Sequence, residues 1–551
     1  MPQITINGKP MEFQKGQTIL QVALANEEEI PHYCYHDSLS IPANCRICLA
    51  EIWQPNPKTG KLESTGRLSP TCHTHAAEGM VVYTDSDKAK ANQKAVMEYL
   101  LINHPVDCAI CDQAGECGLQ DYSHEYGRGE SRFVEEKIKN PKKQVGPNIL
   151  LYSDRCIMCT RCVRFTREVT QTNELMVEGR GGTEMIDVFP GMALDNELAS
   201  NVIDLCPVGA LLDKDFLFQQ RVWFLTKTPS IDGITSSGDN ISVEHNDGRV
   251  YRIKPRRNAA VNQWWITDEV RYGWKFVHRE DRLKLPSLKG REAFELEKAP
   301  EAWDAGLNKT NDFARGAAHA GKRLGLLVSP MLSCEDAYLL AKWVLAIDPK
   351  AELAVGPVPT HGADKTFPGG FTMFAEKAPN ARGVRAVLQA LAAGRTVHDA
   401  ASFEKALGAG AIGAAVITGN YPSDWVSNGL REALARVPFA LIDTLPTALT
   451  AMAEVVLPGA TWIEKSGTFE NAKNRLQGFD RAITPVDFAK GECQIALDLM
   501  AEREGIRAPA FDGVAVRAEM ARITGLERFA TEHHATPAKP AVESDMVLVE
   551  L

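Results

Sequence analysis

The chain has 551 residues, of which 44% are hydrophobic and 24% charged, and its formal net charge is -10. These proportions are typical of a globular protein of about three or four domains, and the negative charge argues against bulk nucleic-acid binding, which needs a basic surface. No uninterrupted apolar run reaches the roughly 18 residues of a membrane helix, and the N-terminus lacks the basic and apolar regions of a secretory signal. We therefore expect any membrane association to come through a partner.

The placement of the cysteines is more informative than their number. Eleven of the thirteen lie between residues 34 and 206. Without a secretory signal the thiols should stay reduced, so clustered cysteines indicate metal ligands rather than disulfides. Cys334 and Cys493 have no neighbour at ligand spacing, and we expect them to be buried or structural.

The N-terminal residues predict a hairpin followed by a short helix. In residues 3–13, alternating hydrophobic residues flank Asn7-Gly8, a pair that suits a type I′ turn because both positions tolerate positive φ. An amphipathic helix is predicted at residues 18–25.

The first cysteine set follows this helix. Its members are Cys34, Cys45, Cys48 and Cys72. With a further strand predicted at residues 49–53, the order of elements resembles the plant-type 2Fe-2S ferredoxin domain, a β-grasp fold. That domain has the spacing C-x4-C-x2-C…C, whereas here ten residues separate the first two cysteines, which lengthens the loop without removing a ligand. A zinc site is the alternative.

The second set is preceded by a predicted helix and followed by a predicted loop. Asp85 or Ser86 can cap the helix, which runs to about Ile102. Its predicted apolar face consists of Val96, Tyr99 and Leu100. Residues 127–147 are polar, with mixed charges, and predict a connecting loop.

The second set places one histidine and three cysteines within fourteen residues, in the pattern H-x3-C-x2-C-x5-C. Its members are His104, Cys108, Cys111 and Cys117. Thiolates bind iron–sulfur clusters, zinc or Cu(I), so the spacing alone leaves zinc open. The two flanking sets favour a 4Fe-4S cluster with His104 as the fourth ligand. In the alternative, His104 only ends the helix and the cluster lacks one protein ligand.

The third set has the pattern C-x2-C-x2-C with a remote Cys-Pro, the bacterial ferredoxin signature. Its members are Cys156, Cys159, Cys162 and Cys206. One run of three and one isolated Cys-Pro should close a single 4Fe-4S cluster. A solvated helix face explains the accompanying arginines, although they could also offset cluster charge. They are Arg161, Arg164 and Arg167.

The three sets in this order resemble the family of the large, 75-kDa-type iron–sulfur subunit of respiratory complex I, NADH–quinone oxidoreductase. The resemblance is close over about the first 215 residues and looser beyond. It implies that one 2Fe-2S and two 4Fe-4S clusters relay single electrons from the FMN-containing, NADH-binding flavoprotein subunit towards quinone. It also implies a peripheral place beside other complex I subunits on the cytoplasmic side of a bacterial inner membrane. No nucleotide-binding motif and no acid–base constellation stands out in the sequence, so we expect no catalytic site in this chain.

Residues 223–274 resemble the small N-terminal domain of molybdopterin oxidoreductases, in which four cysteines bind one more 4Fe-4S cluster. The corresponding positions here are Ser230, Gly233, Ser237 and Thr267. None is a thiol, so we expect this cluster to be absent and the strand-rich residues 241–255 to remain as scaffold.

The C-terminal half alternates predicted strands and helices, which favours parallel sheet units. The predicted pairs are strand 324–328 with helix 337–346, strand 414–418 with a helix near 430–435, and strand 439–443 with another helix. Residues 455–471 closely resemble a molybdopterin-enzyme segment, but this half is too short to enclose a bis-pterin cofactor. We therefore expect a reduced domain without molybdopterin.

Two other features of this half carry no function. The literal G-x-G-x-x-G of residues 408–413 lies after a helix and before a strand, the reverse of the dinucleotide-binding order. The tail beyond Arg528 is polar and rich in Pro and Ala, which predicts loose order.

The predicted fold is multidomain, α/β and α+β. The predicted domains are the plant-type 2Fe-2S domain at 1–84, the histidine-plus-three-cysteine segment at 85–147, the 4Fe-4S ferredoxin-like domain at 148–221, the cluster-lacking domain at 222–276 and the reduced α/β domain at 277–551. The alternative function is electron relay in an NAD-linked formate dehydrogenase or hydrogenase complex, since the same N-terminal order of sets occurs there. A zinc-bound scaffold is a third.

Overall fold

The computed structural model describes residues 1–531, and the chain divides into two units. The first contains residues 1–225 with 367–370, and the second contains residues 226–366 with the chain from residue 371 onward. Of the tail predicted to be loosely ordered, the part from residue 532 lies outside the described residues.

The N-terminal sheet of the first unit has five strands. Their spatial order is Lys9–Glu12, Gln3–Ile6, Val81–Tyr83, Leu49–Pro55 and Leu62–Pro70. The predicted hairpin is confirmed, with φ of 49° at Asn7 and 80° at Gly8. The predicted helix is Ile19–Ala25, which begins after Thr18 because the Thr18 side chain accepts from the Gln21 N–H and the Gln21 side chain accepts in return from the Thr18 N–H. Its buried face packs on the sheet to form a small apolar core.

The rest of the first unit carries short helices and small sheets. Its remaining α-helices are Asp87–Ile102, Gly118–Tyr126, Arg161–Glu168 and Asn201–Leu205. Its remaining strands are Leu211–Asp213, Ile149–Tyr152 and Lys142–Gln144 in one sheet, and Leu175–Glu178 with Met185–Val188 in another. The strand Lys142–Gln144 lies within the segment that we predicted as loop alone.

The predicted helix before the second set is confirmed, but one residue of its predicted face is wrong. Ser86 caps the helix by accepting from the Ala89 N–H. Val96 is buried, whereas Tyr99 is 72% exposed and Met97 is fully buried instead. At 3.6 residues per turn the buried stripe runs through Gln93, Val96 and Met97, and Tyr99 lies off that stripe.

The second unit begins with an antiparallel sheet and continues with a larger, mostly parallel one. The first sheet contains Thr226–Ile231, Asn240–Asn246 and Arg249–Pro255. The second has the order Ser287–Leu288, Val455–Pro458, Phe439–Asp443, Ile412–Thr418, Arg323–Val328 and Glu352–Val355. Only Ser287–Leu288 runs antiparallel to its neighbour in this second sheet. The prediction of parallel sheet units is therefore confirmed.

The helices of the second unit connect these strands and cover the sheet. They are Asp268–Tyr272, Ala299–His319, Cys334–Ile347, Ala381–Leu391, Ala400–Gly408, Asn428–Leu434, Glu492–Glu504 and Gly513–Met520. Two small hairpins pair Lys365–Thr366 with Thr372–Met373 and Gly467–Glu470 with Leu476–Phe479. The 3-10 helices within residues 1–531 are Cys108–Ile110, Ser153–Arg155, Gly181–Thr183, Val222–Phe224, Gly273–His278, Leu296–Lys298, Trp462–Glu464 and Glu527–Ala530.

The helix that we predicted after strand Phe439–Asp443 is wrong. The chain passes through turns and enters the next parallel strand, Val455–Pro458, without a helix. Pro446 lies in this connection, and a proline disfavours the helical conformation in the residue before it.

None of the helices in residues 1–531 is long and apolar enough to cross a membrane.

Candidate metal centres

The first cysteine set is brought together by the N-terminal sheet. Cys48 directly precedes strand Leu49–Pro55, and Cys72 follows strand Leu62–Pro70 by two residues. The thiol of Cys34 interacts with those of Cys45 and Cys72, and the thiol of Cys48 interacts with that of Cys72. The interaction with Cys45 lowers the pKa of the Cys34 thiol and raises the pKa of Cys45. All four predicted ligands of this set are therefore adjacent.

The second set surrounds a cavity of about 410 Å³. His104, Cys108, Cys111 and Cys117 all line it. Cys117 directly precedes helix Gly118–Tyr126. The chain returns to it through Gly115, which has φ of 90° and no room for a side chain, because a Cβ would lie 2.7 Å from Val222. Gly115 therefore lets the loop turn back to deliver Cys117.

Burial shifts the pKa values of His104 and Cys117 in the second set. It lowers the pKa of His104 to about 4, with the nearby positive charge of Arg155 as the next cause. The imidazole is therefore neutral near pH 7, which is the form that binds metals. Burial raises the pKa of Cys117 to about 11, so a bound cation is needed to favour its thiolate.

Three residues that sequence reasoning missed support the second set. Arg155, only 2% exposed, lines the same cavity and donates to Asp107. Gly209 leaves room for the Cys111 sulfur, which a Cβ at that position would overlap. Arg221 donates to the carbonyl oxygens of Cys108 at 3.0 Å and of Cys111 at 3.2 Å.

Two of these three residues lie close in the sequence to cysteines of the third set, and this closeness is the signal that could have revealed them. Arg155 directly precedes Cys156, and Gly209 lies three residues after Cys206. Both residues therefore belong to the loops of one set while they line the site of another.

The third set lies in a small pocket with mostly apolar walls. Cys156, Cys159, Cys162 and Cys206 line it together with residues such as Leu151, Ile186 and Val208. Met158 and Thr160 have positive φ, 51° and 59°, which coils the loop around the site. Burial raises the pKa of all four thiols.

The solvated-face interpretation of the arginines holds for Arg167 and is wrong for Arg164. Arg167 is exposed, but Arg164 is only 7% exposed. The Arg164 guanidinium donates to the carbonyl oxygens of Cys34 and Cys159. The sequence pattern did not reveal this role because the partner loop comes from more than 100 residues earlier in the chain.

One apolar cluster contains a thiol from each set. Its buried members include Cys34, Cys117 and Cys159, together with Met97 and Tyr33. The Tyr33 hydroxyl donates to the carbonyl oxygen of Gly118 at 3.3 Å, so it links the residue before Cys34 with the residue after Cys117. The three sets therefore adjoin one another within the first unit.

The donor sets fit iron–sulfur clusters. Each set provides four soft ligands, which are either four thiolates or three thiolates and one imidazole. The four ligands of each set lie at one site. In residues 1–531, no group of three or more His, Cys, Asp or Glu side chains is arranged to hold a metal ion as it stands. The ligand assignments consequently remain predictions.

The positions of the replaced fourth set are used for other contacts. A Cβ at Gly233 would overlap the ring of Trp462. The Ser237 hydroxyl donates to Asp232 at 2.9 Å, and Thr267 caps helix Asp268–Tyr272. With no thiol and with Trp462 against Gly233, these residues do not fit a thiolate-bound cluster.

The molybdopterin-like segment, residues 455–471, contains a buried charge network. The Lys465 ammonium lies 2.8 Å from Asp336 and also contacts Glu492. Cys334 and Cys493 are both buried, as predicted, and the Cys493 N–H donates to Asp336 at 2.9 Å.

Five family models match successive parts of the chain. They are a 2Fe-2S iron–sulfur cluster binding domain at 2–87, the NADH-ubiquinone oxidoreductase-G iron–sulfur binding region at 93–132, the ferredoxin-like domain of NADH-quinone oxidoreductase subunit 3 at 146–212, the NDSU1/NuoG-like 4Fe-4S domain of NADH-ubiquinone oxidoreductase at 225–275, and molybdopterin oxidoreductase at 390–502. These matches confirm the predicted order of domain types. The match at 225–275 covers a segment without cysteine.

Curated relatives share about two fifths of their own length with this chain. The mitochondrial NADH dehydrogenase (ubiquinone) iron–sulfur protein 1 of Solanum tuberosum is 41% identical over 52% of this chain and 38% of its own. An NADH-quinone oxidoreductase subunit of Rickettsia felis is 38% identical over 52% and 41%. The mitochondrial 78 kDa subunit of NADH-ubiquinone oxidoreductase of Neurospora crassa is 40% identical over 56% and 40%.

A solved structure also aligns with part of the chain. An NAD+-reducing NiFe-hydrogenase in the H2-reduced state matches 40% of this chain and 91% of its own at 26% identity, with a TM-score of 0.34. On the family models and the curated relatives, the N-terminal half of this chain is similar to the large iron–sulfur subunit of NADH–quinone oxidoreductase.

Proposed function

We propose that the chain is an electron-transfer subunit of an NADH–quinone oxidoreductase and relays single electrons through three iron–sulfur clusters. The observation that carries the proposal is the shared apolar cluster, which contains Cys34, Cys117 and Cys159, one thiol from each set. Three separate structural metal sites do not need to adjoin one another, whereas successive redox centres do.

The proposed ligands follow the three sets. Cys34, Cys45, Cys48 and Cys72 hold a 2Fe-2S cluster. His104, Cys108, Cys111 and Cys117 hold one 4Fe-4S cluster, and Cys156, Cys159, Cys162 and Cys206 hold another. The burial of the thiols and the hydrogen bonds around them are features by which a protein sets the reduction potential of a cluster.

The chain's own residues bury, orient and separate the clusters. When bound, the clusters supply one-electron redox chemistry. A hydride carries two electrons, so a flavin-containing partner has to divide them into single steps. We therefore include an NADH-binding FMN flavoprotein subunit, the other peripheral complex I subunits and a peripheral place on the cytoplasmic side of the inner membrane in the proposal.

We assign no molybdenum or tungsten to the second unit. Two observations support this assignment. Trp462 lies against Gly233, where the related enzymes carry a cluster ligand. The molybdopterin-like segment places Lys465 between two buried carboxylates, so its charge is already compensated within the protein.

Metal analysis with electron paramagnetic resonance (EPR) on anaerobically purified protein tests the proposal. We expect about ten iron ions per chain, two in the first cluster and four in each of the others. About fourteen iron ions or stoichiometric zinc would contradict it. Stoichiometric molybdenum or tungsten, or formate-dependent dye reduction by the purified chain, would instead favour the formate dehydrogenase alternative.

A further inference from the structure

We propose that Arg161, Arg164 and Glu168 are positioning residues that hold the loop between Cys34 and Cys45 against the third set. They thereby determine the separation of the first and third clusters. The contacts stand by themselves, and the consequence for electron transfer rests on the proposed function.

The three side chains share one face of helix Arg161–Glu168, since they are spaced three and four residues apart. Arg161 Nη2 donates to the carbonyl oxygen of Tyr35 at 2.6 Å. Arg164 donates to the carbonyl oxygen of Ser40 as well as to that of Cys34. Glu168 accepts from both the N–H of Ser40, at 2.8 Å, and its hydroxyl.

The same arginines also hold the third set. Arg164 Nη2 donates to the carbonyl oxygen of Cys159 at 3.3 Å, so one nitrogen bridges a ligand residue of each set. Arg161 Nη1 donates to the carbonyl oxygen of Leu205 at 3.4 Å, directly before Cys206. A further hydrogen bond joins the two cysteine loops directly, since the Asn44 side chain donates to the Met158 carbonyl oxygen at 3.2 Å.

These contacts explain the length of the loop. Ten residues separate Cys34 from Cys45 here, against four in the plant-type ferredoxin pattern. Tyr35, Ser40 and Asn44 all lie within those ten residues, and all take part in the hydrogen bonds to the third set. The additional residues thus serve for attachment to the third set rather than for ligation.

Arginine suits this role better than lysine. Its planar guanidinium offers five donors in a fixed arrangement, and Arg164 uses them on four oxygens of the surrounding loops, counting Thr160 Oγ1 at 3.4 Å. Lysine has three donors on a flexible chain and cannot span the same oxygens. Because Arg164 is buried, a substitution that leaves a polar group unpaired at this position costs free energy of folding.

The test measures the magnetic interaction between the two clusters in the anaerobically purified, dithionite-reduced full chain. A paramagnetic neighbour speeds the spin relaxation of the 2Fe-2S signal, and its microwave-power saturation reports this effect. In Arg164→Lys and Glu168→Ala we expect a loss of relaxation enhancement while iron content and the g-values of both clusters stay as in wild type. The matched control is Arg167→Ala, an exposed residue of the same helix, which should keep the wild-type saturation.

Glu168→Ala keeps the inference testable if Arg164→Lys does not fold, because the Glu168–Ser40 contact lies at the surface. Wild-type saturation in a Glu168→Ala chain with full iron content would overturn the inference and leave the proposed function intact. A wild-type chain without a 2Fe-2S signal would instead overturn the proposed function, and the inference with it. Equal loss of relaxation enhancement in Arg167→Ala would show that the charge of the helix, and not these hydrogen bonds, is responsible for the enhancement.

Discussion

Arg155 and Asp107 form an ion pair beside the second cysteine set. Two nitrogens of the guanidinium, Nε and Nη2, donate to Asp107 Oδ2 at 3.1 and 2.7 Å. Arg155 also stacks over the ring of Tyr152, with 4.1 Å to its centroid. The pair is nearly neutral as a whole, so the loss of either partner leaves one unbalanced charge near His104.

We expect opposite shifts of the second cluster's reduction potential when either partner is replaced. Arg155→Met leaves the negative charge of Asp107 and should lower the potential, because reduction adds negative charge to the cluster. Asp107→Asn leaves the positive charge of Arg155 and should raise it. An EPR-monitored redox titration of the two variants measures both shifts.

Arg155→Met should also destabilise the fold. Removal of one partner of a fully buried ion pair costs about 3–5 kcal/mol, and the partial exposure of Asp107, 27%, places the expected cost nearer about 2 kcal/mol. Arg128→Met is the control, since Arg128 lines the same cavity but is 45% exposed. Shifts of the same sign in Arg155→Met and Asp107→Asn would rule out the electrostatic explanation.

Substitution of His104 should affect one cluster alone. His104→Ala removes the fourth ligand of the second set, so the EPR signal of that cluster should be lost or altered while the other two persist. His104→Cys should retain the cluster at a lower potential, since a thiolate carries a negative charge that a neutral imidazole lacks. Three unchanged signals in His104→Ala would refute ligation by this residue.

Gly209→Ala should specifically impair the second cluster. A Cβ at this position would overlap the sulfur of Cys111, which cannot move away while it is a ligand. We expect the loss of about four iron ions per chain and of one 4Fe-4S signal. Gly129→Ala is the matched control, because Gly129 lines the same cavity and has no atom within 4 Å of the added Cβ. An iron content in Gly209→Ala equal to that of the control would contradict the clash.

Asp232→Asn should stabilise the second unit at neutral pH. Burial raises the pKa of Asp232 to about 6 in the folded chain, above its ordinary value of 3.8. Because the folded pKa is raised, the unfolded chain ionises first, and stability falls as pH rises through this window. The full penalty above about pH 7 is about 3 kcal/mol. Asparagine resembles the protonated acid and can keep the hydrogen bonds from the N–H groups of Ile234 and Thr235.

Thermal midpoints of wild type and Asp232→Asn, measured between about pH 5 and about pH 7.5, check this prediction. The advantage of the variant should grow as the pH rises. A difference that is constant over this range would show that Asp232 does not titrate there.

The features that the sequence alone established are those encoded by neighbouring residues. The spacing within each cysteine run identifies the type of site, because a short loop can bring only nearby residues to one metal centre. The Asn7-Gly8 turn and the Ser86 cap were predictable for the same reason, since a turn or a cap depends on the conformations of two to four residues. The alternation of strands and helices likewise indicated the parallel sheet of the second unit.

Only the tertiary structure decided how distant segments use their polar residues. Arg164 looked like one of three solvated arginines, and its burial depends on the Cys34 loop from the other end of the first unit. Trp462 and Gly233 are more than 200 residues apart in the chain, yet the ring of Trp462 occupies the space that a side chain at residue 233 would need. Such contacts depend on the packing of whole elements, which no local pattern records, because the helical and strand periods specify which face is buried but not what covers it.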